Sequence, residues 1–275
     1  GRKADWVAAQ LEAAAAAGVP YGIGFMAWAL GADPAGFELA LQAHPALISI
    51  SFGDLQPWVR RARAAGITVA VQVGTLADAR AAEEAGASIV VARGAEGGGH
   101  GENAVGTLPL LQQVLDAVTV PVLAAGGIAT ARGLAAVLAA GAAGAWVGTA
   151  FAGCVESTSS PAARAAMAAA DATDTFYGRV FDIAARLGWP ERFGGRALAN
   201  DFSREWLGRE RELAEQVRAA DHVTAALAQA RDEGDVSVAP VYCGQGVGQI
   251  RTGISAAEVV QELARAGDLL RAAAG

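Results

Sequence analysis

Residues 68–102 read TVAVQVGTLADARAAEEAGASIVVARGAEGGGHGE, and this stretch indicates the fold. The apolar run TVAVQV is typical of a buried strand, and the helix-like segment after it ends at Gly86. A second apolar run, SIVVA, leads into the glycine ribbon GAEGGGHGE (residues 94–102). Strands that are apolar throughout, rather than alternating, are typical of a parallel sheet covered on both faces. The stretch therefore predicts a βαβ unit with His100 on a glycine-rich loop after its second strand.

The same strand–helix unit recurs along the first half of the chain. Six strands are predicted, near residues 21–28, 47–52, 68–73, 88–92, 122–125 and 144–147. Repeated βα units of this α/β class build either a doubly wound sheet or a (β/α)8 TIM barrel, and the barrel requires eight strands. Two interpretations stay open from the residues alone: the sheet is open, or two strands are missing from the count.

The composition is that of a globular protein with a large core, because 53% of the 275 residues are hydrophobic and 18% are charged. The net charge is −7 and no basic stripe is present, so nucleic acid is not an expected partner. Cys154 and Cys243 form no metal-ligand spacing, and two free thiols indicate a reducing compartment, which predicts a cytoplasmic protein without a metal. The uncharged residues 133–155 are interrupted by glycines, so a helix and a strand are expected there and no membrane span.

The chain divides into three segments of different character. Residues 1–155 carry the βα units. Residues 156–235 are more charged and mainly helical, which predicts a smaller substrate or lid domain. Residues 236–275 begin with a glycine-rich stretch and end in an amphipathic helix, which predicts a return to the barrel.

Unusual residues lie where the predicted strands end, and ligands of a parallel barrel bind at that end. Gln72 is a lone amide near the end of TVAVQV. Two successive strands end in Gly126-Gly127 and Gly148-Thr149, each before helix-like sequence. Backbone N–H groups at such turns bind anions, and a barrel phosphate site commonly follows the last two strands. These turns predict a phosphate cradle, although ordinary turn glycines would give the same pattern.

His100 is the candidate catalytic residue. A neutral imidazole is a suitable general base near physiological pH, and small neighbours would let the backbone pack against a flat cofactor. The alternative is a surface histidine on a flexible loop. His44 precedes a proline in a turn and is expected to be structural, and His222 is expected to be solvated on a charged helix.

Four motifs, in their order and spacing, resemble the nitronate monooxygenase family: VQVGT, GAEGGGHGE, VLAAGGIAT and GAWVGTAF. The resemblance extends through GQGVGQI and covers nearly the whole chain. It implies an FMN-binding (β/α)8 barrel, in residues 1–155, with a smaller inserted substrate domain. It also implies oxidation of alkyl nitronates, and sometimes of nitroalkanes, by O₂. Family members carry two further βα units before the first one found here, and these account for the two strands absent from the count.

The resemblance also implies roles for single residues. His100 corresponds to the family's catalytic histidine, which takes the α-proton of a nitroalkane or orients a nitronate. Gln72 corresponds to a polar contact to the flavin ring, and Gln245 and Gly246 to a motif near the cofactor. Arg93 stands where lysine or glutamine is common in the family. The remaining FMN-binding candidates are Gly94, Gly99, Gly126, Gly127, Gly148 and Thr149.

Two other functions are open from the sequence. Flavin-dependent enoyl-(acyl carrier protein) reductases carry a similar histidine loop, so reduction of a carbon–carbon double bond by NAD(P)H is one alternative, although no GxGxxG fingerprint follows a strand. A non-catalytic flavin-binding or interaction protein is the other. Phe176, Tyr177 and Trp189 are candidates for the wall of an apolar substrate pocket. The sequence leaves the physiological substrate and assembly into a homo-oligomer open.

Overall fold

A computed structural model describes residues 4–251 and 253–275, and residues 1–3 and 252 lie outside the described residues. The strands of the described part are β1 (Gly22–Met26), β2 (Leu47–Ser51), β3 (Thr68–Val73), β4 (Ile89–Arg93), β5 (Gly99–Gly101), β6 (Val122–Ala125), β7 (Gly144–Trp146), β8 (Thr175–Gly178) and β9 (Gly194–Leu198). One parallel sheet has the order β1-β2-β3-β4-β6-β7, and β5, β9 and β8 form a second, antiparallel sheet. The six strands predicted from the apolar runs are therefore confirmed.

Helices alternate with the parallel strands and then follow one another in the second half of the chain. They are α1 (Ala4–Ala16), α2 (Ala27–Leu30), α3 (Ala35–Ala43), α4 (Gln56–Ala64), α5 (Leu76–Ala85), α6 (Thr107–Leu115), α7 (Ala131–Ala139), α8 (Thr149–Ala152), α9 (Pro161–Ala169), α10 (Val180–Ala184), α11 (Asp201–Trp206), α12 (Glu210–Ala219), α13 (His222–Glu233), α14 (Ala256–Ala264) and α15 (Ala266–Ala274). Short 3₁₀ turns lie at Ala172–Asp174 and Gln245–Gln249.

The strand order distinguishes the two sheet types that the sequence left open. A doubly wound sheet reverses its order at a switch point, whereas each parallel strand here pairs with the next parallel strand along the chain. Edge strand β1 and Trp146 of edge strand β7 line the same cavity, of about 630 Å³. The sheet therefore curves until its two edges face each other, which is the arrangement of a barrel. The predicted α/β class with barrel-type order is confirmed.

Alternate residues of the parallel strands pack on opposite faces of the sheet. Ile48 and Val69 belong to the large core between the strands and the outer helices, and both are fully buried. Ala70 and Val91 belong to a separate cluster on the other face. Each fully buried valine or isoleucine contributes about 1.5–3 kcal/mol. Burial on both faces explains why these strands carry apolar residues on both faces instead of on one.

Threonine caps start the helices that follow the site-bearing strands. Thr75 Oγ1 accepts a hydrogen bond from the backbone N–H of Asp78 (3.1 Å) at the start of α5, and Thr130 Oγ1 accepts one from Gly133 (3.3 Å) at the start of α7. Such a cap stabilises a helix by about 1 kcal/mol. Helix α5 ends at Gly86, whose φ of 99° lies in the left-handed region that favours glycine. The caps fix the turns that leave β3 and β6, where the candidate site lies.

The antiparallel sheet was not predicted from the sequence, and it carries His100. His100 on β5 pairs with Gly195 on β9, and β9 pairs with β8. A second core, under this sheet and helices α10–α13, includes Phe181, Leu213 and Leu227. Segment 156–235 therefore contains two strands besides its helices, and the domain boundaries at residues 155 and 235 stay predictions.

The final segment returns to the parallel sheet, where α15 packs against α7. The uncharged residues 133–155 include most of α7, strand β7 and α8. Within residues 4–251 and 253–275, we find no helix with the length and apolar character needed to cross a membrane.

Candidate functional site

The C-terminal ends of the parallel strands surround one cavity of about 320 Å³. Gln72 near the end of β3, Arg93 at the end of β4, Gly126 after β6 and Gly148 after β7 all line it. Volumes of about 300–1,000 Å³ are usual for small-molecule sites. The predicted glycine turns and the predicted flavin-ring contact are therefore brought together at one cavity.

Most of the predicted cofactor residues line this cavity. The lining residues among them are Gln72, Arg93, Gly99, Gly126, Gly127, Gly148, Thr149 and Gly246. Gly94 and Gln245 are outside the lining. Gly94 packs against the N-terminus of α6, where an added Cβ would overlap Thr107, and the backbone N–H of Gln245 donates to the Glu96 carbonyl (2.9 Å).

The turn after β6 requires glycine. Gly126 has a φ of 108° and Gly127 a φ of 70°, both in the left-handed region. An added Cβ at Gly126 would lie 2.8 Å from Thr107 Oγ1. At Gly148, by contrast, an added Cβ would meet no atom within 4 Å, although this residue lines the cavity. Backbone thus forms this wall of the cavity and leaves the space beside Gly148 free.

Arg93 fixes the glycine ribbon. Its guanidinium is buried and donates to four backbone carbonyls, from Nη1 to Glu102 (3.2 Å) and from Nη2 to Gly97 (2.5 Å), Gly98 (3.2 Å) and Gly99 (3.0 Å). Burial lowers the pKa of Arg93 to about 10. Its donors therefore already hold the ribbon, and its contact with a cofactor stays a prediction.

The ribbon also contacts the glycine-rich stretch near the C-terminus. An added Cβ at Gly98 would overlap the backbone of Gly244. The Gly244 N–H in turn donates to Thr149 Oγ1 (2.8 Å). Ribbon, C-terminal stretch and the turn after β7 are thus in direct contact at the wall of the cavity.

His100 lies beside the cavity rather than in its lining. Its Nε2 is 2.8 Å from Oδ1 of Asp182, and the side chains are 12% and 2% exposed. Its ring stacks on Trp189 with centroids 3.8 Å apart and an interplanar angle of 1°. The ring of Tyr242, which does line the cavity, is 5.4 Å away. The imidazole is therefore held in one orientation, next to the cavity wall.

The loop that carries Trp189 is tied to the parallel sheet. Arg192 forms ion pairs with Asp78 at the start of α5 (2.7 Å) and with Glu102 after β5 (2.7 Å). Burial raises the pKa of Glu102, and the charge of Asp78 acts in the same direction. Trp189 also packs against Phe52 (5.2 Å between ring centroids). These contacts keep Trp189 over the imidazole.

Burial changes the protonation of two groups in the cavity wall. The pKa of Tyr242 is raised by burial and, to a smaller extent, by the charge of Asp182. Burial raises the pKa of Cys243 to about 12. Both side chains are therefore neutral at physiological pH.

The other two histidines and two of the aromatic residues predicted at the substrate pocket lie outside the cavity lining. His44 ends α3 in the left-handed region (φ 50°), and its Nε2 is 3.0 Å from the Ala65 carbonyl. His222 is exposed at the start of α13. The Tyr177 hydroxyl donates to the Gly101 carbonyl (2.8 Å) beside His100, whereas Phe176 packs with the second core.

Comparison with known proteins gives a consistent family. The family model for nitronate monooxygenase matches residues 4–266. The chain belongs to the nitronate monooxygenase family. A nitronate monooxygenase of Pseudomonas aeruginosa is 35% identical over 226 residues, which are 69% of this chain and 64% of that protein. The chain thus spans a little less than two thirds of the length of that family member.

Two solved structures show the same fold over the whole chain. FabK from Thermotoga maritima superposes with a TM-score of 0.85 at 26% identity, and 85% of its chain is covered. A nitroalkane oxidase from Streptomyces ansochromogenes superposes with a TM-score of 0.83 at 28% identity, and 88% of its chain is covered. Each match covers 100% of the present chain.

Asp182, Trp189 and Tyr242 are the residues near His100 that no motif indicated as a group. Trp189 was expected at the substrate pocket, but its stacking on the imidazole was not. Asp182 is a lone carboxylate in the otherwise apolar segment VFDIA. A charged residue on the buried face of an apolar helix requires a partner. Asp182 in VFDIA therefore indicates a polar partner elsewhere in the chain, although it does not indicate which residue this is.

Proposed function

We propose that this chain binds FMN in the 320 Å³ cavity and oxidises alkyl nitronates, and nitroalkanes where His100 can remove a proton, with O₂ as the electron acceptor. Family membership supports the reaction class. The observation that carries the proposal is the position of the cavity: the glycine turns after β6 and β7 form one side, and Tyr242, 5.4 Å from the His100 ring, forms another.

The residues present fit a phosphorylated flavin. Gly126 and Gly127 have positive φ values that turn the backbone at the cavity, and no side chain fills the space at Gly148. Backbone N–H groups at such turns suit a phosphate, with Thr149 beside them. Gln72, near the end of β3, would contact the ring system as a neutral amide. When bound, FMN would supply the two-electron redox chemistry that no side chain of this chain can supply.

His100 would act on the substrate at the edge of the cavity. The Cα–H bond of a nitroalkane would break, its proton would pass to the imidazole, and the electron pair would remain on the substrate as a nitronate. A nitronate supplied as such needs no proton removal. Trp189 covers one face of the imidazole and would exclude water from it. The phenol of Tyr242, neutral because its pKa is raised, can donate a hydrogen bond nearby.

The first test is flavin binding. The purified protein, mixed with FMN and desalted, should keep a flavin absorbance spectrum. Gly148→Val should weaken FMN binding at least about tenfold, because the valine would occupy the cavity. Gly31→Val is the matched control, since Gly31 is exposed directly after α2, is not among the residues that line this cavity, and an added Cβ there also meets no atom within 4 Å. A colourless protein would contradict the proposal and favour the non-catalytic alternative.

The second test separates the reactions. Under anaerobic conditions a nitronate should reduce the bound flavin, and air should reoxidise it. Rapid reduction by NADH or NADPH without reduction by a nitronate would favour the enoyl reductase alternative. His100→Asn should lower the ratio of nitroalkane to nitronate turnover by roughly 10²-fold or more. An unchanged ratio would exclude His100 as the base.

A further inference from the structure

We propose that Asp182 is a positioning residue that holds His100 in the tautomer with its proton on Nε2, so that Nδ1 is the atom that accepts the substrate proton. This inference rests on the proposed function for its kinetic consequences, but the tautomer itself can be measured without any substrate.

The pair joins elements that are distant in sequence. Asp182 is on α10, which packs in the second core, whereas His100 is on β5 beside the cavity, 5.4 Å from the ring of Tyr242 in the cavity wall. The Asp182 side chain is 2% exposed. Within the described ranges, its carboxylate has one hydrogen-bond partner, His100 Nε2 at 2.8 Å. A carboxylate this buried is costly unless it is paired, so the pairing requires a histidine, or another donor, at position 100.

The hydrogen bond determines which ring nitrogen is free. An ionised carboxylate can only accept hydrogen bonds, so Nε2 must be the donor. In neutral imidazole the other nitrogen, Nδ1, then has the free lone pair. We find no hydrogen bond to Nδ1 from any residue that the structure describes. Nδ1 is therefore the only ring atom of His100 that can take a proton without breaking the pair.

Neighbouring side chains fix the ring plane as well. Trp189 lies parallel to the imidazole at 3.8 Å, and its carbonyl accepts a hydrogen bond from Arg179 Nη2 (3.0 Å). Gly195 lies close to the ring, where an added Cβ would be 3.6 Å from both Cε1 and Nε2. A 180° flip of the ring, which would put Cε1 in the place of Nε2, would have to break both the stacking and the hydrogen bond to Asp182.

The arrangement accounts for the charge in the proposed step. The substrate Cα–H bond breaks, an Nδ1–H bond forms, and the electron pair stays on the nitronate. The imidazole becomes an imidazolium whose Nε2–H faces the Asp182 carboxylate at 2.8 Å, so the new positive charge has a partner. The subsequent oxidation uses the flavin and O₂ named in the proposed function.

The direct test is ¹⁵N NMR of the histidine rings at a pH where the imidazole is neutral. The chain has three histidines, so combining His44→Gln with His222→Gln leaves His100 as the one source of histidine ring signals. We expect a protonated Nε2 and an unprotonated Nδ1 in the wild-type protein. In Asp182→Asn, whose amide can donate as well as accept, the Nδ1-protonated form should appear. A wild-type ring protonated on Nδ1 would overturn the inference, whatever the protein's activity.

The kinetic test uses the same variant. Asp182→Asn should lower the ratio of nitroalkane to nitronate turnover by roughly 10²-fold, because only the nitroalkane needs the base. Asp201→Asn is the control, since Asp201 is exposed and pairs with Arg204 on the same helix, and its ratio should equal that of the wild type. Formate should partly restore the ratio in Asp182→Ala by supplying a carboxylate at the same place. Equal loss of both turnovers, without rescue by formate, would reduce Asp182 to a structural residue.

Discussion

Replacing Arg93 with methionine should release the glycine ribbon that carries His100. Arg93 is 3% exposed, and its guanidinium donates to the backbone carbonyls of four residues between positions 97 and 102. Methionine fills a similar volume but donates no hydrogen bond. The substitution therefore removes the hydrogen bonds that hold the ribbon, and water becomes the available donor for those carbonyls.

The size of the effect follows from the hydrogen bonds. Nη1 donates one bond, and Nη2 has two hydrogens shared among three carbonyls, so about three full bonds are lost. Each bond from a charged donor contributes about 1.5–3 kcal/mol. Removing the buried charge also removes its desolvation cost, which offsets part of the loss. We expect a net loss of about 3–5 kcal/mol, mostly as local opening of the ribbon.

Hydrogen exchange measures this opening directly. The N–H of Gly97 donates to the Gly94 carbonyl, and the N–H of Gln245 donates to the Glu96 carbonyl, so both amides report on the ribbon. A loss of about 3 kcal/mol corresponds to exchange faster by roughly 10²-fold. Arg93→Lys should be intermediate, because lysine keeps the charge but has no planar fork.

Arg63→Met is the matched control for this experiment. Arg63 is exposed, and the hydrogen bond it makes is to Ser88 Oγ (3.0 Å). Arg63→Met should therefore leave hydrogen exchange at the amides of Gly97 and Gln245 unchanged. Equal exchange at these two amides in Arg93→Met and Arg63→Met would refute the conclusion that the guanidinium holds the ribbon.

Two further predictions follow from shifted pKa values. Burial raises the pKa of Glu102 above 4.5, so just above that pH this carboxyl binds more protons in the folded state than in the unfolded state. The stability that this carboxyl contributes is therefore full below pH 4.5 and is lost as the pH rises through its folded pKa. Glu102→Gln should therefore flatten the decline of the urea midpoint from pH 4.5 upward, and an unchanged slope would contradict the assignment. Because the pKa of Cys243 is about 12, the fraction of this thiol present as thiolate at pH 8 should be about 10⁻⁴. Iodoacetamide should therefore alkylate Cys243 roughly 10³-fold more slowly in the folded than in the unfolded protein, and mass spectrometry measures both rates. Comparable rates would mean that the thiol is not desolvated.

The parallel sheet could be predicted because its signals are local. Strand β3 carries apolar residues on both of its faces since both faces are buried, and α5 ends before Gly86 because that position is left-handed. The antiparallel sheet has no such signal. Strand β5 is Gly-His-Gly, and β9 is GGRAL with the buried Arg196 in its middle. These segments are strands because of their pairing with each other, which no local pattern indicates.

The candidate site likewise contains residues that local sequence predicts and residues that only the folded chain brings together. The glycine turns at residues 126–127 and 148–149 follow strands that the sequence predicts, and ends of neighbouring parallel strands lie at one edge of the sheet. The surroundings of His100 depend instead on contacts across more than 80 residues of chain, from Asp182 and Trp189. No spacing rule connects these positions, so the partners of His100 could be found only from the folded chain.

The glycine ribbon is flexible in composition but fixed by its contacts. Arg93 binds its carbonyls from one side, and at Gly98 it lies so close to Gly244 that a side chain would not fit. The same ribbon leaves strand β4 of the parallel sheet and becomes strand β5 of the antiparallel sheet. The parallel sheet supplies the cavity with the glycine turns, and the antiparallel sheet supplies the histidine, so the ribbon sets the distance between them. Loosening the ribbon at Arg93 should therefore impair proton removal, because the ribbon positions His100, and it should also weaken flavin binding, because Arg93 and Gly99 line the cavity.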